Sequence, residues 1–392
     1  MARTSESGRV LVAFIVGQLG LHSAMAGLRM AAPLQALRDG ASAWSVGLLM
    51  ALFAAAPVVL ALHAGRLADR HGYHRPVHIA VALSLSGMAL AVASTFVDGW
   101  LHFVLLCAAA MLTGSGANMG MLTIQRTAGL SAQTATERVR IFSWLAIAPS
   151  FSNVVGPVAV GFTIDHAGFA AGYGLLFLLP LATLLSARAV PRGEPPGEKA
   201  ASAGTAWNLL AEPGMKRLLF VNWLLSMCWD VHAFAVPILG HERGFSASTI
   251  GLILGTFTLS VTVVRVFIPM LAHRLREITV VRASMLGTGV VFALYPMATS
   301  PWLMGTLAVF LGMTLGCVQP MIMSTLHHLT PEHRHGEALA FRSMAINASS
   351  TVMPLVFGAA CTVVGAAVLF WAVGAAVGSG SWLARRLDAV RT

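Results

Sequence analysis

Asp230 is the acidic residue best placed to carry a proton or to meet a charged ligand, because it stands inside the apolar run NWLLSMCWDVHAF at 222–234. The chain holds 15 acidic residues, and no other lies so far inside an apolar run. Burying a carboxylate in such a run costs about 2.5–3.5 kcal/mol on insertion scales, so it is expected to face a cavity or a partner. Desolvation raises the pKa of such a group and a neighbouring arginine lowers it. Three roles are open: proton carrier, counter-ion for a substrate, or buried partner of Arg265 holding two helices together.

Gln18, His22, Met25 and Arg29 recur at spacings of four, three and four, which puts them on one face of a helix. Asn222, Ser226, Trp229 and Asp230 repeat nearly that spacing. A shift of 204 residues carries Gln18 to Asn222, His22 to Ser226 and Met25 to Trp229, so the two faces correspond. Both faces are expected to line a central substrate cavity. In it His22 titrates near neutral pH or serves as a hydrogen-bonded packing residue, and Trp229 meets an apolar or aromatic ligand. Arg29 either reaches the interface or binds an anion. Asn153, Gln319 and Asn347 are further lining candidates.

Other chemistries find less support. His327, His328, His333 and His335 in HHLTPEHRHGE suggest metal, but the segment reads better as a polar connection, and no metal site is expected. Cys107, Cys228, Cys317 and Cys361 all fall inside apolar runs and read as packing residues. No Walker loop, GxSxG elbow or HExxH segment occurs, so neither an enzyme nor a bound cofactor is expected. Any work must draw on an ion gradient or on the solute's own gradient.

The elements that must hold these residues are membrane helices. With 57% hydrophobic and 10% charged residues, and a mean hydropathy of +0.76, the chain has too little polar surface to cover a soluble globule. A span needs about 20 apolar residues, so 392 residues with short connections hold about a dozen. Apolar runs place spans near 10–32, 44–64, 76–97, 100–124, 141–163, 168–189, 217–238, 247–271, 278–299, 302–326, 340–361 and 364–384. The first run reads as a retained span, because it lacks a small-residue cleavage site.

The net charge of +10 follows membrane topology and does not call for nucleic acid. Arg66, Arg70, Arg75, Arg126, Arg138, Arg140, Arg188, Arg192, Lys216, Arg217, Arg274, Arg276, Arg282, Arg385 and Arg386 fall on one side. Only Arg38 and Arg243 fall on the other. Both termini are therefore expected in the cytoplasm. The polar, Pro/Gly/Ala-rich stretch 191–215 separates two halves, 1–190 and 216–392, of six spans each.

Ungapped, the 204 shift also matches Pro33 with Pro237, Gly40 with Gly244, Ser42 with Ser246 and Gly47 with Gly251, and a shift of 200 matches Gly116 with Gly316. Two homologous six-helix halves allow a site between them to face either side in turn.

GRLADRHGYHRP, Gly65 to Pro76, resembles the signature loop between the second and third spans of the major facilitator superfamily. Gly65, Leu67, Ala68, Asp69, Arg70 and Gly72 match it, and Tyr73 and His74 replace two basic positions. NVVGPVAVG in the fifth span, with Gly156, Pro157 and Gly161, resembles the glycine-proline motif of that superfamily's antiporters, with Val160 replacing one glycine. In the fourth span Ala110 stands where an arginine is expected.

The resemblance implies an all-α membrane fold of 12 transmembrane helices in two six-helix bundles related by a pseudo-two-fold axis, and a monomer. It implies a gating motif at Gly65, Asp69, Arg70 and Gly72, with Asp69 and Arg70 as a cytoplasmic latch; a solvated loop serving topology alone is the other reading. The expected function is secondary active transport of a small organic solute by alternating access, as proton-coupled efflux through Asp230 and His22. Uptake of an organic anion by symport or uniport, and a membrane sensor or lipid-handling protein on the same fold, are the alternatives. An Ala- and Gly-rich chain with almost no lysine fits a bacterial inner membrane.

Overall fold

The protein is described here as a computed structural model covering residues 2–131, 135–192, 214–271, 276–330 and 335–385. Most of the 191–215 linker lies outside the described residues. Among the described residues there is no strand, and the helices run α1 (Ala2–Arg38), α2 (Ala43–His71), α3 (His74–Ser94), α4 (Gly99–Ser131), α5 (Ala135–Ala187), α6 (Met215–Glu242), α7 (Ala247–Leu271), α8 (Glu277–Leu294), α9 (Pro301–Leu329) and α10 (His335–Arg385). A bilayer leaves no other choice to a single chain segment, because each backbone polar group must be bonded within the helix.

Nine of the helices among the described residues are long and apolar enough to cross a membrane. Two of them carry enough apolar length for two crossings, 41 residues over Ile147–Ala187 and 45 over Phe341–Arg385. Each bends at a glycine, Gly168 (φ 79°, ψ 177°) and Gly365 (φ 81°, ψ 164°), a backbone conformation essentially closed to residues with a Cβ. Divided there, the ten helices give twelve helical segments, in keeping with the sequence expectation. The helices outrun the apolar stretches, α1 to Arg38 and α2 to His71, because hydrogen bonding along the backbone does not stop where the hydrocarbon does.

The described chain forms two compact units. The first comprises Met1–Ala41, Leu48–Lys199 and Phe245–Gly255, and the second Ser42–Gly47, Ala200–Gly244 and Thr256–Thr392. In the first, Phe14, Leu21, Tyr73, Val77, Ala80, Ala117 and Ile124 build a core of α1, α3 and α4. The Phe14 and Tyr73 rings lie 5.6 Å apart, so Tyr73, which departs from the signature loop's basic pattern, is a packing residue. In the second unit, Phe370 on the second arm of α10 meets Phe292 of α8 edge-on at 5.1 Å and stacks on Tyr295 at 4.9 Å.

The repeat has a structural expression. Gly40 (φ 84°) and Gly244 (φ 70°), matched by the 204 shift, close the corresponding turns after α1 and α6. Between α5 and α10 the matching shift is 197, taking Pro157 to Pro354, Gly161 to Gly358 and Gly168 to Gly365. In the first unit Gly251 packs against the Pro157 carbonyl, and in the second Gly47 packs against the Pro354 carbonyl. Small residues at such crossings let membrane helices approach to backbone contact.

Candidate functional site

In the first unit α1 presents the expected polar face. Gln18 is 1% exposed, and neither atom of its amide has a partner among the described residues. The Nε2 of His22 lies 3.5 Å from the Asn153 amide nitrogen, which also donates to the Pro149 carbonyl at 2.9 Å. Asn153, a weak candidate in the sequence, thus joins the His22 face through α5. Met25 and Arg29 follow on that face, both half-buried. Because α1 continues nine residues beyond Arg29, this arginine lies deeper than the apolar run indicates.

The α5 motif explains how α1 is held. A Cβ on Gly156 would come within 2.5 Å of the Ser23 carbonyl and 2.8 Å of the Gly27 nitrogen, and one on Gly161 within 2.6 Å of the Ala247 carbonyl. Each glycine is a point of backbone contact, Gly156 with α1 and Gly161 with the start of α7. Just beyond, Asp165 accepts from the backbone N–H groups of Ala247 at 2.9 Å and Ser248 at 2.8 Å, capping α7. Sequence reasoning passed over Asp165, because DHAG at the end of an apolar run reads as a polar loop.

In the second unit two rungs tie α6 to α10. The Arg342 Nε donates to Asn222 Oδ1 at 3.1 Å, and the Ser350 hydroxyl lies 3.3 Å from each carboxylate oxygen of Asp230. Eight residues separate the rungs on both helices, so α6 and the first arm of α10 run parallel there. Asp230 is 4% exposed and Asn222 2%. Trp229 packs edge-on against Phe257 at 4.7 Å and receives the Arg265 guanidinium at 6.0 Å from its ring centre. Arg265 is thus set over Trp229, and Ser350 is set on Asp230.

Ser226 lies on the α6 face between the two rungs and is half-buried. Gln319 on α9 and Asn347 on α10 are exposed, so neither joins this polar cluster through burial. Behind it His232, also 1% exposed, lies 3.0 Å from the Tyr295 hydroxyl.

Of the gating motif, Arg70 is exposed near the end of α2, and Gly72 turns the chain into α3 at φ 66°. Gly65 falls within α2, and the Asp69 carboxylate lies outside what the structure describes, as do the side chains of His327, His328, His333 and His335. The described cysteines are all free thiols.

Each half carries a polar face on its first helix and glycines at its helix crossings, and comparison with known proteins decides the family. The Major Facilitator Superfamily model matches residues 14–219 and again 218–390. The chain belongs to the Major Facilitator Superfamily.

This superfamily membership makes it a multi-pass membrane transporter. It is 25% identical over 327 residues to the Enterobactin exporter EntS of Escherichia coli O1:K1 / APEC, covering 78% of this chain and 74% of the relative. It is 26% identical over 330 residues to the Enterobactin exporter EntS of Escherichia coli O81 (strain ED1a), with the same coverage. Among solved structures it resembles a POT family transporter in complex with 5-aminolevulinic acid, with a TM-score of 0.76 at 12% identity over 95% of this chain and 94% of that one. It also resembles a bacterial homologue of the iron transporter ferroportin, with a TM-score of 0.72 at 16% identity over 97% of both chains. These likenesses show the superfamily fold over nearly the whole chain.

Proposed function

We propose that this transporter exports a small, partly apolar organic compound in exchange for protons, with Asp230 carrying the coupling proton. The observation that carries the reading is the buried Asp230 carboxylate held against the Ser350 hydroxyl. A coupling group has to exist in both protonation states in one place. A hydroxyl serves both, because it donates to the carboxylate and accepts from the acid. The cost of a carboxylate in the span, about 2.5–3.5 kcal/mol, favours proton uptake whenever the site is closed to water.

Export is favoured by the relatives, which are named as exporters of enterobactin. Two repeated halves supply the means, since each half presents a polar face from its first helix, α1 or α6. In this reading His22 is a second titrating group, Asp69 and Arg70 form a cytoplasmic latch, and both termini are cytoplasmic in a bacterial inner membrane. The protein acts as a monomer and leaves its solute chemically unchanged.

Uptake of an organic anion is the second reading, favoured by the half-buried Arg265 and Arg342. Purified protein in sealed vesicles separates the two under an imposed pH gradient. Exchange accumulates an aromatic test solute in acid-inside vesicles, and symport accumulates it in alkaline-inside vesicles. Solute entry that ignores the gradient contradicts proton exchange and proton symport alike and leaves uniport.

A further inference from the structure

The polar seam between α6 and α10 is acidic at one rung and cationic at the other, and the proton-exchange reading uses only the acidic rung. At the cationic rung Arg342 is held by Asn222, and Arg265 is held over the Trp229 ring. Asn222 and Trp229 stand seven residues, about two turns, apart on α6, so the two arginines meet the same face of that helix. Both are half-buried, and the Arg265 Nε and Asn222 Nδ2 atoms are buried with no hydrogen-bond partner among the described residues.

Two like charges on one half-buried helix face are unfavourable, and buried donors without acceptors add to that cost. An oxyanion between the two guanidinium groups removes both penalties, since arginine presents several N–H donors in a plane matched to carboxylate geometry. The Trp229 face beside it suits an apolar or aromatic body attached to that anion.

The repeat shows that this site is an addition to one half. Asn222 corresponds to Gln18 under the 204 shift, and Arg342 corresponds to the buried Leu145 under the 197 shift. A pair needed only to hold helices together would have a counterpart in the first unit, and there the Gln18 amide is left unpartnered instead.

We infer that Arg265, Arg342, Asn222 and Trp229 form a substrate subsite for an amphipathic or aromatic organic anion; its role as a substrate site rests on the transport reading above. Asn222 lies seven residues from the start of α6, Arg342 seven from the start of α10 and Arg265 six from the end of α7, each about 10 Å along its helix. These ends carry the basic residues that mark the cytoplasmic side, so the anion is captured from within the cell.

The test is equilibrium binding of phthalate, salicylate and naphthalene-1,5-disulfonate, with uncharged dimethyl phthalate as control, to the whole protein in phosphatidylcholine nanodiscs. At least one anion is expected to bind, dimethyl phthalate at least tenfold more weakly, and Arg265→Gln and Arg342→Gln are each expected to weaken the anion tenfold or more. Arg342→Lys, which keeps the charge, retains part of the affinity and guards against misfolding of the glutamine variants. Failure of all three anions to bind, equal binding of the ester, or unchanged affinity in both glutamine variants overturns the proposal.

Nanodiscs containing phosphatidylglycerol separate the two sources of an oxyanion. If that lipid abolishes binding, the site holds a lipid phosphate and the substrate assignment is overturned. Binding is read without a proton gradient, so loss of proton exchange leaves this result standing, and loss of anion binding leaves proton exchange standing.

Discussion

The Ser350 hydroxyl stands 3.3 Å from both carboxylate oxygens of the buried Asp230, eight residues beyond the contact between Arg342 and Asn222. The first arm of α10 thus supplies both partners of the α6 polar face, and movement of one helix along the other would disturb both rungs together.

Removing the hydroxyl should slow coupling without unfolding the protein. A hydrogen bond to a charged group contributes about 1.5–3 kcal/mol, so Ser350→Ala is expected to reduce ligand-driven proton release about tenfold or more. Ser350→Thr, which keeps a hydroxyl, should recover much of it. Stopped-flow pH-indicator measurements with matched thermal melts check this, and an unaltered rate in Ser350→Ala would remove Ser350 from the coupling site.

Capping of α7 by Asp165 should appear in stability. Asp165→Ala is expected to lower stability by about 0.5–2 kcal/mol, whereas Asp165→Asn keeps one of the two acceptors and should lose less. Thermal unfolding in detergent compares the three proteins. Equal losses in both variants would point to charge, not capping, as the contribution of Asp165.

Two glycines of α5 should respond oppositely to alanine. Gly156→Ala forces a methyl into the backbone of α1 and is expected to destabilise by about 1–3 kcal/mol. Gly174→Ala meets nothing within 4 Å and gains helix propensity of up to about 1 kcal/mol. Melting temperatures moving in the same direction would contradict this account of the α1–α5 contact.

The bends at Gly168 and Gly365 should not tolerate a Cβ. Alanine at either position is expected to cost about 1–3 kcal/mol, although nothing lies within 4 Å of the added atom. Folded yield and thermal melts of each single variant check this, and wild-type stability would show that the bend is not fixed by the backbone conformation.

Much of this was legible in the sequence because a bilayer imposes simple rules. Apolar runs located the helices, and the 204 shift correctly paired Gly40 with Gly244 at equivalent turns. The same shift matched Gln18, His22 and Met25 with a second face on α6. Helix ends were not legible, since α1 and α2 continue into polar residues. The bends at Gly168 and Gly365 fall on the first and second residues of the runs 168–189 and 364–384, where composition alone marks no change of direction.

Arg342 was missed for a physical reason. It stands at the start of an apolar run just after a stretch dense in histidine and arginine, so nothing in its spacing singles it out, and its partner Asn222 lies 120 residues away. Ser350 and Asp165 were missed likewise, since a serine in a span or an acid at its end acquires meaning only from the helix packed against it.

The central claim, that Asp230 carries a proton exchanged for solute, is tested most directly by proton movement. Purified protein in a lightly buffered detergent solution is titrated with lipophilic cations, organic anions and neutral aromatics while pH is recorded, with Asp230→Asn as control. Proton release on adding a ligand, absent in Asp230→Asn although that variant still binds it, is the predicted result. Ligand binding without proton release in the unaltered protein, or release that persists undiminished in Asp230→Asn, would contradict the account.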